Sequence, residues 1–351
     1  MKIEGAKIGF ERRAGGGQTL RMRNFVPLGA ALIFCAAAFC FPEAARAESV
    51  KVIFDTDMCG DCDDAGALAV LNKMADAGRA ELLACLANTH DKDKAIAATI
   101  SAINTYYGRP DVPIGAYHGP LHPAGGSTYD VKVRDEFPHS APPDDQTPDA
   151  VGVYRKALAA APDRSVVIVS TGFLCNLHEL LESKADTAST LSGWDLTRQK
   201  VKLVVAMGGG YPQSGGECNF SSADCWRDTQ FVLDNWPTPM LFSGFEIGSG
   251  ITTGKCLKDA PDVDPVKRIY GIVTGFGGRP SWDLTAALAA TGDLNRYWDV
   301  SPSGYVRILP GGGDQWYSAP DLQRSYLIPK MPPAEVGKEL DALLMAPPKG
   351  R

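Results

Sequence analysis

Five carboxylates crowd one ten-residue segment, Asp55-Thr56-Asp57-Met58-Cys59-Gly60-Asp61-Cys62-Asp63-Asp64. Carboxylates this close repel one another. The repulsion is relieved by a hard cation or by proton uptake. Calcium takes six to eight oxygen ligands and tolerates irregular geometry, which suits such a loop. An acidic helix start on a solvated turn accounts for Asp63 and Asp64, because acids favour the positive end of a helix. It does not account for Asp55 and Asp57, which directly follow an apolar run. The placement points to a site for metal or acid–base chemistry.

The elements around the loop must hold it at the edge of a sheet. Residues 50–54 read as a buried strand that ends in the acids, and 63–77 as the helix that follows. Strands at 81–87, 112–116, 165–170, 200–207 and 239–242 alternate with helical patterns at 92–107, 150–160, 174–184, 229–235, 265–274 and 283–290. A short strand near 305–309 and a helix over 334–345 close the chain. Residues 118–148, rich in Pro, Gly, Asp and His, read as one long loop, the usual form of a lid or binding loop. The alternation implies an α/β fold: an open, mainly parallel, Rossmann-like sheet with helices on both faces. Ligands of such sheets sit beyond the carboxyl ends of the strands, where the acidic loop falls.

The N-terminal 47 residues differ from the rest. Arg21 and Arg23 precede an apolar run from Phe25 to Phe41, followed by Glu43-Ala44-Ala45-Arg46-Ala47. This is the form of a secretory signal peptide, with Met22 a more usual start for its length. The expected organisation is a signal over 1–47 and a single domain over 48–351, giving an exported, periplasmic or secreted protein without a membrane anchor once the signal is removed. The chain has 351 residues and a formal net charge of −6, and is more acidic still without its basic leader. That balance argues against nucleic acid as a partner. It is compatible with a small-molecule ligand, with a cation and with a homo-oligomer. Nine cysteines, two of them at 35 and 40, leave an odd number in the remainder, so at least one thiol stays unpaired. The pairs closest in sequence are Cys59/Cys62 and Cys218/Cys225. No second Cys-x-x-Cys or His pair completes a zinc site.

Two other acidic loops fit less well. Counted from Asp55, the sixth position is Gly60, as an EF-hand requires, but the twelfth is Gly66 instead of Glu, and a strand precedes the loop. A haloacid-dehalogenase-like phosphatase would use Asp55 as nucleophile and Asp57 as acid, with Ser170 or Thr171 on a later strand. The Asp63-Asp64 pair then comes too early in the chain.

Residues 52–68, Val-Ile-Phe-Asp-Thr-Asp-Met-Cys-Gly-Asp-Cys-Asp-Asp-Ala-Gly-Ala-Leu, resemble the signature of the inosine-uridine preferring nucleoside hydrolase family, in its bacterial form with Asp-Thr-Asp-Met. Further matches follow in order: Asn88 after the second strand, Thr171-Gly172-Phe173-Leu174-Cys175-Asn176, Met207-Gly208-Gly209-Gly210, Glu217-Cys218-Asn219, and Asp283 opening a late helix. Together they span residues 50–290. The resemblance implies a calcium-dependent hydrolase of N-glycosidic bonds in ribonucleosides or related N-ribosides. It implies calcium ligation by Asp57, Asp64, the Thr171 carbonyl and Asp283, with Asp57 as the base. Asp63, Asn88, Met207, Glu217 and Asn219 would hold the ribose, and Trp282 would face the leaving group. Asp55 would support the loop through its amides, and Asp61, in a two-residue extension, has no assigned role. One departure bears on mechanism. Where many purine-handling members carry a leaving-group His immediately before the last metal Asp, this chain has Trp282, and no His occurs after His178. Trp stacks on rings but supplies no titrating proton. Of the remaining histidines, His139 lies in the long loop. Without a leaving-group acid, a non-catalytic sugar or nucleoside binder is the third reading.

Overall fold

The computed structural model describes residues 48–350 apart from 59, 121–127, 223–224, 311 and 321. The signal segment therefore lies outside the described residues. Residues 47–351 form a single compact unit.

An eight-stranded sheet runs through this unit. Strand β1 (Val50–Thr56) pairs in parallel with β2 (Ala80–Ala87) on one side and β4 (Val166–Thr171) on the other. The sheet continues beyond β2 to β3 (Ile114–Ala116). Beyond β4 it passes to β5 (Val201–Met207), Met240–Ser243 and Arg324–Pro329, all parallel. The edge strand Trp298–Val300 is antiparallel. Val52, Ile53 and Phe54 are fully buried, as expected of a parallel strand with helices on both faces. The chain leaves β1 toward β2 and returns on its other side at β4, so a topological switch lies between β1 and β4. The register aligns Thr56 with Thr171, Thr171 with Met207, and Met207 with Ser243. Whatever follows these four residues emerges side by side at the carboxyl edge.

Helix α1 (Asp63–Asp76) begins just beyond the acidic loop and packs along the helix Trp282–Thr291. The two approach closely because the contact is small on one side. A Cβ on Gly66 would lie 2.5 Å from the Tyr270 hydroxyl and 2.8 Å from a Leu284 methyl. Both helices therefore bring their acidic first turns to one place.

Local patterns misread three regions. Residues 118–148 are not a structureless loop: helix Asp130–Glu136 and a 3₁₀ turn Asp144–Gln146 interrupt them. The turn is held from outside the segment, as Asp144 accepts the amides of Ile96 and Ala97 at 3.2 and 2.8 Å. Lys200 ends the helix Gly193–Lys200 instead of opening β5. The tail strand, Gly304–Ile308, lies outside the main sheet: it pairs with Asp314–Ser318, which pairs on its other side with Gln213–Ser214, in a small antiparallel sheet.

Candidate functional site

A cavity of about 350 Å³ opens at the carboxyl edge, lined by Asp57, Asp61, Asp63, Asp64, Met207, Gly216, Glu217, Cys218, Asn219, Phe245, Arg279, Trp282 and Asp283. Eight of the ten residues assigned from sequence to the metal, the base or the substrate meet there, from three stretches far apart in the chain, 57–64, 207–219 and 282–283. Two do not line it. Asn88 and Thr171 are fully buried beside it.

Asp63, Asp64 and Asp283 converge most tightly, each offering a carboxylate oxygen within 4.8 Å of the other two. All three are buried. The Asp64 carboxylate is oriented by the Thr56 and Thr171 hydroxyls, both donating to its Oδ1, the latter at 2.9 Å. Asp63 Oδ2 accepts the Asp283 amide at 3.3 Å, tying the two helix starts together. Burial and then the neighbouring carboxylates hold all three well above the usual carboxylate range. Asp57 stands beside them, partly exposed to the cavity. Burial, then Asp63, raises its pKa to about 7. An all-oxygen set of crowded, desolvated carboxylates fits a hard divalent cation, which would restore their ionised form. The compact triad contains Asp63 in the place that the family resemblance gave to Asp57.

Asp57 is positioned by backbone. Its amide donates to the Thr171 carbonyl at 3.0 Å. Gly172, at φ 118°, packs against it, and a Cβ there would come within 2.7 Å of Asp57 Cβ, Asp57 Cγ and Asn88 Oδ1. Asn88 in turn accepts the Phe173 amide at 3.2 Å and reaches the Thr171 carbonyl at 3.4 Å. The Asn88 side chain thus braces the wall that carries Asp57.

Asp55 is fully buried and absent from the cavity lining. Its support role was expected through loop amides. Instead, Tyr154 Oη donates to it at 2.7 Å and Asn176 Nδ2 at 2.9 Å. Desolvation raises its pKa to about 7. A fully buried carboxylate with no access to the cavity cannot serve as a phosphatase nucleophile. Asp61 lines the cavity, pairs with Arg279 and takes the Cys62 amide at 2.6 Å.

On the opposite wall, Glu217 caps a short helix. It accepts the amides of Gly209, Asn219 and Phe220 at 2.8, 2.8 and 3.1 Å. Burial outweighs these contacts and raises its pKa to about 7. Asn219 Nδ2 donates to the Met207 carbonyl at 3.2 Å. Cys218 between them carries an exposed free thiol, so no bridge to Cys225 forms. Trp282 Nε1 donates to the Phe245 carbonyl at 2.9 Å, and the two rings stack with centroids 5.2 Å apart. His139 takes no part: it contacts the Ala141 carbonyl and does not line the cavity. Phe245 and Arg279 were not singled out from sequence. Arg279 stands four residues before Asp283, in Arg-Pro-Ser-Trp-Asp, and only the tertiary contact with Asp61 marks it.

No protein-family model and no curated protein matches the chain. Solved structures do match it in fold. An inosine-uridine preferring nucleoside hydrolase from Bacillus anthracis superimposes with a TM-score of 0.62 at 15% identity, over 84% of this chain and 99% of that one. An inosine-guanosine nucleoside hydrolase gives 0.60 at 18% identity, over 84% and 97%. A type III effector, XopQ, solved as a complex with adenosine diphosphate ribose, gives 0.59 at 15% identity, over 86% and 94%. The chain has the α/β fold of these nucleoside hydrolase-like structures.

Proposed function

We propose that the protein is a calcium-dependent hydrolase of N-glycosidic bonds in ribonucleosides or related N-ribosides. The observation that carries this reading is the meeting of Asp63, Asp64 and Asp283 with Asp57 on one wall and with Glu217 and Asn219 on the other. The ordered motifs and the shared fold support it. Asp64 and Asp283, with Asp57, Asp63 and the Thr171 carbonyl close by, would hold the ion. Bound there, it would supply Lewis-acid polarisation of a water. Asp57, kept ionised by the bound cation, takes the proton of the attacking water. The water oxygen bonds the anomeric carbon as the C–N bond breaks, and charge develops on the sugar ring as in glycoside hydrolysis. Asp63, Glu217 and Asn219 grip ribose hydroxyls, converting sugar binding into alignment of the anomeric carbon. Asn88 acts behind them by holding residues 171–173. Export with removal of the first 47 residues belongs to the same proposal, and N-terminal sequencing of protein from the exported fraction tests it.

The decisive experiment measures ribose release from a panel of nucleosides, with and without chelator. Release that is lost on chelation and in Asp57→Ala is expected. No release from any member, or release indifferent to both changes, overturns the reading. Ribose binding by calorimetry without turnover would establish a sugar-binding protein instead.

A further inference from the structure

The cavity holds one cation among its described lining residues, Arg279, and the chemistry above gives it no task. Its guanidinium lies 5.0 Å over the Trp282 ring, within cation–π range. Its Nη2 pairs with Asp61, while its Nε is buried without a hydrogen-bond partner. Trp282 is itself fixed by the Phe245 carbonyl and ring. Asp61 and Trp282 therefore restrain Arg279 beside an aromatic shelf, the stacked Trp282 and Phe245, that suits a flat heterocycle.

That shelf carries no imidazole, and the carboxylates of the described lining are those given above to the ion, the water and the ribose, with Asp61 paired to Arg279. When the C–N bond breaks, its electron pair goes to the heterocycle. Without a proton donor the heterocycle leaves as an anion and takes its proton from water after release. Guanidinium keeps its charge at any working pH and presents planar N–H donors. It stabilises an anion without transferring a proton. We propose that Arg279, positioned by Asp61 and Trp282, stabilises the departing heterocycle as an anion. This rests on the hydrolase reading above.

The test compares uridine and inosine with p-nitrophenyl riboside, whose leaving group needs little assistance. In Arg279→Ala, kcat on the nucleosides falls about 100-fold or more, the usual scale for one charge-stabilising donor. Turnover of the p-nitrophenyl riboside stays within about fivefold, and KM moves less than kcat. Arg279→Lys retains part of the nucleoside activity and serves if the alanine variant misfolds. Asp61→Asn shows the same leaving-group-dependent loss in smaller measure. Equal losses on all substrates, or none, overturn the role of Arg279 while leaving the hydrolase reading intact. A wild-type protein inert on every substrate overturns both.

Discussion

Gly172→Ala tests the site without altering any group that does chemistry. The added Cβ would lie 2.7 Å from both Asp57 Cβ and Cγ. That is about 0.7 Å short of an ordinary van der Waals contact, on the steep side of the potential. The neighbour cannot give by swinging a flexible tip, because the contact is with the root of the carboxylate and with Asn88 Oδ1. Asp57 must therefore move, and with it the proposed proton acceptor. Alanine at φ 118° adds backbone strain of about 1–3 kcal/mol. A displacement approaching 1 Å at a reacting group costs up to about 100-fold in rate. The expected variant is folded with a lowered melting temperature, keeps cation binding to within an order of magnitude, and loses about 10- to 100-fold in kcat for ribose release. Calorimetry with calcium, thermal melting and a ribose-release assay on the same preparation separate these effects. A variant that turns over substrate within about twofold of wild type would refute the placement of Asp57 against Gly172 as the determinant of its reactivity.

Other consequences follow from the same crowding. Burial raises the pKa values of Asp57, Asp63, Asp64 and Asp283, that of Asp57 to about 7, so cation binding must compete with protons. Calcium affinity will fall as pH drops from 8 to 5.5, with proton release seen by calorimetry in buffers of different ionisation heat; pH-independent affinity would contradict the cluster. Asp283→Asn removes a buried like charge and is expected to raise the melting temperature of the chelated protein at pH 8 while abolishing cation binding; a lowered melting temperature would show that the carboxylate stabilises the metal-free fold. Asp55 titrates near 7 in the folded state against an ordinary 3.8. Its contribution is intact below about pH 4, is lost as pH rises through 7, and amounts to up to about 4 kcal/mol. Melting of chelated protein between pH 5 and 8 should show this decline, and Asp55→Asn should flatten it. Cys218 is exposed, but burial of its sulfur and nearby Asp57 and Glu217 push its thiol to about 11. Iodoacetamide at pH 7 should therefore label it slowly, faster than the buried Cys62 or Cys85, and block the cavity; rapid labelling would mean that the neighbouring carboxylates do not hold the thiol protonated.

The acidic loop, its strand and its helix were legible in the sequence because local signals define them. Apolar residues run straight into Asp55 and Asp57, and Asp63 and Asp64 sit where a helix dipole favours acids. The alternation of strands and helices likewise fixed a mainly parallel sheet, since buried parallel strands must be apolar on both faces. Glu217, Asn219 and Asp283 were reachable only as an ordered series of short motifs. The tertiary structure decided where each carboxylate stands and what surrounds it. Asp55 and Asp57 are two residues apart, yet one is fully buried with Tyr154 and Asn176 while the other meets the cavity. The turn out of the sheet after Thr56 separates them, and no local pattern records what packs against each side. Asp61 and Arg279 were equally silent, being 218 residues apart in the chain. Their ion pair exists because two helix starts were brought together at one sheet edge. Composition and periodicity report what a residue's neighbours in sequence require. Burial, charge pairing and access to a cavity depend on partners that only folding supplies.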